Sequence, residues 1–243
     1  MNTLSSKTLA QIVTNNHKAA SVFEKHHLDF CCKGKRTLKQ ACTESDIKME
    51  EVITELENIE DTNTTLTNYT DLTLTQLVAQ IVTTHHDYVK KESPALLGYL
   101  QKVASKHGDR HPEMYKVAQL FEAIKEEMDQ HMQKEEVVLF PRIKDIEKQI
   151  VEGKEIVINS SYLLSPINMM EQEHDHAGSM LEEIRLLTDN YTPPADACTT
   201  YQLSFASLHA FELDLHQHVH LENNILFPKA LKMFGSHISV SLN

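Results

Sequence analysis

HMQKEEVVLFPRI at residues 131–143 and HVHLENNILFPKA at residues 218–230 are two copies of one pattern, His-x-x-x-Glu-x-x-φ-Leu-Phe-Pro with φ apolar. His131, Glu135, Val138, Leu139, Phe140 and Pro141 match His218, Glu222, Ile225, Leu226, Phe227 and Pro228. Upstream, His86-Asp87 and His174-Asp175 lie 45 and 44 residues before the two histidines, so a whole helical hairpin recurs at an offset of 87 to 88 residues. The spacing predicts two copies of one hairpin, hence a bundle.

Side chains four apart on a helix share a face, with Cβ atoms about 5–6 Å apart, so each His/Glu pair can point into one small volume. Ile124, Met128, His131, Glu135 and Val138 advance by alternating fours and threes, as do Leu208, Phe211, Leu215, His218, Glu222 and Ile225. Those are seam positions that face a bundle core. Met170, His174, Ala177, Leu181 and Ile184 keep the same rhythm and select His174 over His176. On the first helix, His85 and His86 both border the stripe of Val78, Ile81, Val82 and Val89; repeat spacing and the shared His-Asp pair favour His86.

Imidazoles and carboxylates in a bundle interior cost several kcal/mol per uncompensated charge, so a cation is expected among them. Histidine and carboxylate without thiolate suit iron or manganese and disfavour a structural zinc. Two carboxylates from opposite helices can each bridge two ions about 3.5–4 Å apart. Of about 12 positions on two octahedral ions, the six side chains and an oxo or hydroxo bridge leave roughly two open to a small ligand such as dioxygen or nitric oxide. The ferritin-like class pairs its ligands as Glu-x-x-His, whereas the repeated pair here is His-x-x-x-Glu.

Four long periodic segments follow, at approximately 74–106, 112–150, 163–190 and 195–234, broken by KHGDRHP, VEGKEIVINSS and NYTPPAD. Short connections predict an all-α, antiparallel four-helix bundle. Ahead of it, DTNTTLTNYTDLTLT at 61–75 holds seven Thr and marks the expected boundary between a small helical domain, 1–62, and the bundle, 72–236. In the small domain, Leu9, Ile12 and Val13 pattern one helix, and Met49, Val52, Ile53 and Leu56 another, with Ser45 or Asp46 as its cap.

The 243 residues carry a net charge of −12 and no Lys/Arg run, which disfavours nucleic acid and anionic membranes as partners. No apolar run approaches the roughly 20 residues of a membrane span, and the polar opening has no signal-peptide core, so a cytoplasmic protein is expected. Cys31, Cys32, Cys42 and Cys198 form no Cys-x-x-Cys pair and read as reduced thiols. Lys33, Lys35 and Arg36 beside Cys31-Cys32 predict a lowered thiol pKa and a candidate thiol role for that pair. The remaining His residues at 85, 176, 216 and 220 are expected at the surface or beside ligands, His111 in a loop or cap, and Glu136 and Glu173 in solvent. The Leu-Phe-Pro tails read as packing and helix interruption.

Together, LDFCCKGKRTLKQAC at 28–42, HMQKEEVVLFP at 131–141, EHDHAG at 173–178, TPPADAC at 192–198 and HVHLENNILFP at 218–228 resemble the iron–sulfur cluster repair proteins, hemerythrin-like di-iron proteins with a short N-terminal Cys-Cys domain. The resemblance covers almost the entire chain. It implies a hemerythrin-like bundle holding two iron ions, with His86, His131, Glu135, His174, His218 and Glu222 as ligands. It also implies a cytoplasmic protein, monomer or homodimer, that restores iron–sulfur clusters damaged by oxidants or nitric oxide, by supplying iron to damaged iron–sulfur proteins. Two rival functions share the ligands: a dioxygen or nitric oxide carrier or sensor, and an enzyme of the nitric oxide reductase or peroxidase type. Carriers generally use five His, against four seam His here.

Overall fold

A computed structural model describes residues 4–59, 69–154 and 161–235. Its regular elements are all helical, and one isolated antiparallel bridge joins Thr8 to Thr37. Four short helices come first: α1 Leu9–Asn15, α2 Ala19–Lys25, α3 Leu38–Glu44 and α4 Met49–Glu57. Thr8 and Thr37, the bridged pair, each head a helix through a capping box with Gln11 or Gln40, so one contact sets the start of both α1 and α3. The expected cap of α4 is corrected. Its N-cap is Lys48, with no side-chain hydrogen bond, because Ser45 closes α3 and Asp46 lies at φ 55° in the turn between them.

The bundle follows. Helix α5 runs as Leu74–Ile81, a π-helical turn Val82–His86, and Asp87–His107. Helix α6 runs as Glu113–Lys134, a π-helical turn Glu135–Leu139, and Phe140–Val151. Helix α7 is Ser161–Leu187, and α8 runs as Thr199–Leu221, a π-helical turn Glu222–Leu226, and Phe227–Gly235. Each helix packs against the next and α8 packs back on α5, closing the four-helix bundle predicted from the sequence. The start of α5 is tied to α6, because both carboxylate oxygens of buried Glu147 accept backbone N–H groups, from Leu74 at 2.7 Å and Thr75 at 2.9 Å. Of the Thr-rich stretch at 61–75, residues 61–68 lie outside the described part, as do 155–160 of the expected middle connection.

Two apolar clusters fill the interior. One joins Leu74, Leu77, Ile81, Leu139, Phe140, Ile143, Leu163 and Phe227. The other joins Leu100, Phe121, Ile124, Leu181, Leu208 and Phe211 of the bundle with Leu9, Phe23, Phe30 and Leu38 of the short helices. The N-terminal helices thus share a core with the bundle. No helix among the described residues is long and apolar enough to cross a membrane.

The π-helical turns explain a departure from the sequence pattern. A π turn holds one extra residue, so the face it presents shifts by about 100° relative to an uninterrupted helix. Val138, expected at the seam, is 39% exposed, and Leu139 is buried in its place. The same widening sits just before Pro141 and Pro228, which have no N–H to give a regular helix.

Candidate metal centre

His86, His131, Glu135, His174, His218 and Glu222 are all fully or almost fully buried and converge between the two apolar clusters. Donor atoms of His86, Glu135, His218 and Glu222 lie within 4.8 Å of one another, and so do those of His131, Glu135, His174 and Glu222. Both glutamates belong to both groups. His85, the alternative on α5, is also buried, but its Nδ1 faces Asp214 at 2.9 Å and it joins neither group.

The hydrogen-bond pattern fixes which nitrogen points inward. His86 Nδ1 lies 2.7 Å from Glu136 and His131 Nδ1 2.9 Å from Glu173, and a carboxylate only accepts, so each Nδ1 carries the proton. The Nε2 atoms then face the centre. There His86 Nε2 is 3.2 Å from His218 Nε2, and His131 Nε2 is 3.0 Å from His174 Nε2. Glu135 Oε2 lies 3.4 Å from His86 Nε2 and 3.3 Å from His131 Nε2, yet neither Glu135 oxygen has a hydrogen-bond partner. Glu222 Oε2 is likewise unpartnered, although His174 Nε2 is 3.0 Å away. Nitrogen and carboxylate atoms crowded together in a dry interior are an arrangement that cations stabilise, and such donors fit iron well.

Electrostatics point the same way. Burial pushes the His86 imidazole toward neutrality, but Glu135 and Glu222 outweigh it and hold its pKa up to about 10. His131 is likewise pushed down by burial and held at about 10 by Glu135, Glu173 and Glu222. Burial raises Glu222, and His218, His174 and His86 pull it well below the ordinary carboxylate range. For Glu135, burial and the charge of Glu222 raise the pKa, and His131 and His86 bring it below normal. The paired carboxylates hold out for positive charge.

Two expectations are corrected here. Glu136 and Glu173 do not simply face solvent: each grips the outer nitrogen of a buried imidazole and is itself paired with a lysine, Lys90 or Lys134. Their places directly beside Glu135 and His174 are the signal that could have revealed them, since such a residue lies on the flank of the seam, within reach of the neighbouring helix. Among the other histidines, His176 is exposed and pairs with Glu127, and His111 meets Asp196 in the connection. His216 and His220 are bound up with the N-terminal helices, His216 Nδ1 with Glu24 at 2.7 Å and His220 Nε2 with Thr14 at 3.4 Å.

The thiol pair does not reach the centre, but a cavity of about 440 Å³ at the junction is lined by both Cys31 and Cys32 together with His174, Gly178 and His216. Asn224, two residues after Glu222, donates to the carbonyls of Phe30 and Cys31 and so ties their turn to α8. The lowered pKa expected there is corrected for Cys31, which is raised well above the ordinary thiol value, first by its hydrogen bond to Cys32, then by burial and the charges of Cys32 and Asp29. Two of the three cations named for it are engaged elsewhere, Lys35 with Glu171 and Arg36 with Glu44.

Comparison with known proteins agrees with this geometry. Residues 77–230 match the hemerythrin HHE cation binding domain, and residues 5–60 match a domain of unknown function, DUF542. The chain is 35% identical over 226 residues, 93% of its length and 96% of the relative, to the iron-sulfur cluster repair protein YtfE of Musicola paradisiaca. It is 34% identical to that of Enterobacter sp. over 92% of its length and 96% of the relative. With the YtfE of Yersinia pseudotuberculosis it shares 35% identity over 88% of its length and 92% of the relative. A hemerythrin-type bundle preceded by a Cys-Cys module, matched at this level over 88–93% of the chain, places it in the hemerythrin-like family of iron–sulfur cluster repair proteins.

Proposed function

We propose that this chain holds two iron ions on His86, His131, Glu135, His174, His218 and Glu222, and that it repairs iron–sulfur clusters damaged by oxidative or nitrosative stress by supplying iron. The supporting observation is the pair of buried glutamates shared by two groups of histidine nitrogens. The bound ions would supply exchangeable metal and a change of redox state. The protein's own part is orientation and exclusion: Glu136 and Glu173 aim two imidazoles inward, Glu135 and Glu222 stand between both positions, and the two apolar clusters keep bulk water out. In this reading the protein acts in the cytoplasm on damaged iron–sulfur proteins, and the segments 1–62 and 72–236 divide the work. Cys32, half-buried at the junction cavity, is the thiol that meets the client, with Cys31 shaping the turn beneath it.

The test is iron content and near-ultraviolet absorption of the purified protein, followed by reactivation of an oxidised [4Fe–4S] hydro-lyase. Two ions per chain are expected, with loss of both signals in His131→Ala and His218→Ala. Cys31→Ala/Cys32→Ala is expected to keep its iron and to slow reactivation. Reactivation at the wild-type rate by that double variant would remove the thiols from the mechanism. Turnover of nitric oxide or peroxide with an electron donor, without iron transfer, would replace repair by an enzymatic reading.

A further inference from the structure

The four inward-facing imidazoles are not held alike from behind. His86 Nδ1 rests on Glu136 at 2.7 Å, and His131 Nδ1 on Glu173 at 2.9 Å. His174 Nδ1 lies 2.9 Å from the neutral Oδ1 of Asn223. His218 Nδ1 is buried and has no hydrogen-bond partner among the described residues.

The internal repeat makes this gap interpretable. Glu136 and Asn223 are equivalent, each following the glutamate of its hairpin that both donor groups share, and each reaches back to that hairpin's first histidine. Glu173 and His85 are equivalent too, each preceding the first histidine of its hairpin. Glu173 supports His131. His85 instead turns its Nδ1 to Asp214 and lies parallel to the His218 ring, centroids 5.6 Å apart at an interplanar angle of 4°. An imidazole thus fills the place where symmetry would put a carboxylate.

An acceptor behind a ligand histidine fixes its tautomer and ring orientation, and losing one typically costs about 10–100-fold in metal affinity. One position, His86 and His218, has one supported imidazole; the other, His131 and His174, has two. Resting on the two-iron reading above, we propose that the positions are unequal: the ion on His86 and His218 is the one given up, the ion on His131 and His174 is retained, and His85 is the positioning residue that keeps the first one weak.

The full chain, loaded anaerobically with two ferrous ions, is mixed with excess ferrozine and the release followed by absorbance. Two phases of one ion each are expected, their rate constants differing by about 10–100-fold. Asn223→Leu strips the support from His174 and should accelerate the slow phase toward the fast one, leaving the fast phase in place. His85→Glu restores the symmetric carboxylate and should slow the fast phase alone. General loosening of the fold cannot produce these opposite effects, and if His85→Glu fails to fold, Asn223→Leu decides. Release of both ions in one phase, or a slow phase indifferent to Asn223→Leu, overturns the inequality and leaves the two-iron reading standing. A chain that takes up no iron overturns both.

Discussion

The Asp29 Oδ1 atom accepts from the N–H groups of Cys31 and Cys32 at 3.1 and 2.9 Å, and from the Cys31 thiol at 3.3 Å. That geometry folds the turn and, after the hydrogen bond to Cys32 and burial, adds to the upward shift of the Cys31 pKa. Alkylation follows the thiolate, so the upward shift lowers the reactive fraction at any pH below the pKa. Exposed Cys198 should react with iodoacetamide first, Cys32 next and buried Cys31 last, with the Cys31 rate still climbing about tenfold per pH unit through pH 8.5, as mass mapping would show. A plateau for Cys31 near neutral pH would contradict this account. The identity of the thiol pair was readable in the sequence, but its reactivity was not. Lys35 and Arg36 are neighbours in the chain whose charges go to Glu171 and Glu44, and only folding decides that. The same limit hid Glu136 and Glu173, whose partners lie on other helices.

At the scale of the element, the π-helical turns are what bring ligand and tail into register. Glu135 and Glu222 open such turns and His86 closes one. Inserting one alanine beside exposed Val137 adds a residue that the turn does not absorb, rotating the segment after Glu135 by about 100° relative to His131. Because Leu139 and Phe140 would leave their buried sites, the expected outcome is retained helical circular dichroism with iron content reduced below one ion per chain. Unchanged iron content would show the turn to be incidental. Helix existence, order and approximate length were legible from periodicity, and so were five of the converging side chains, whereas His86 was chosen over His85 only by the repeat spacing and the shared His-Asp pair. The seam reading failed one turn beyond Glu135, at Val138, because a 3.6-residue period carries no mark of an inserted residue.

Across the whole molecule, a polar layer lies between two apolar clusters, and one of those clusters also belongs to the N-terminal helices. Binding that favours only the folded state stabilises it by about 2.7 kcal/mol at a free metal concentration one hundred times Kd. Iron-loaded protein should therefore withstand more urea than protein stripped with a chelator, by about 3 kcal/mol or more, and the bundle and N-terminal helices should unfold together because they share one core. Separate transitions for near-ultraviolet absorption and helical signal would argue against that coupling. The sequence divided the chain at its Thr-rich stretch, and composition alone could not disclose that helices on either side pack into a common interior.

The two hairpins share a pattern, but the N-terminal helices are tied to the second of them. Gln133 and Val137 on α6 are exposed, whereas their equivalents on α8, His220 and Asn224, are committed to Thr14, Phe30 and Cys31. Lys90 has Gly178 as its counterpart, and the Cys32 sulfur lies 3.9 Å from where a Cβ would stand there. Positions that look interchangeable in an alignment of the halves therefore have opposite tolerance to substitution: the first copy is free to drift on its outer face, while the second is constrained by the segment folded onto it.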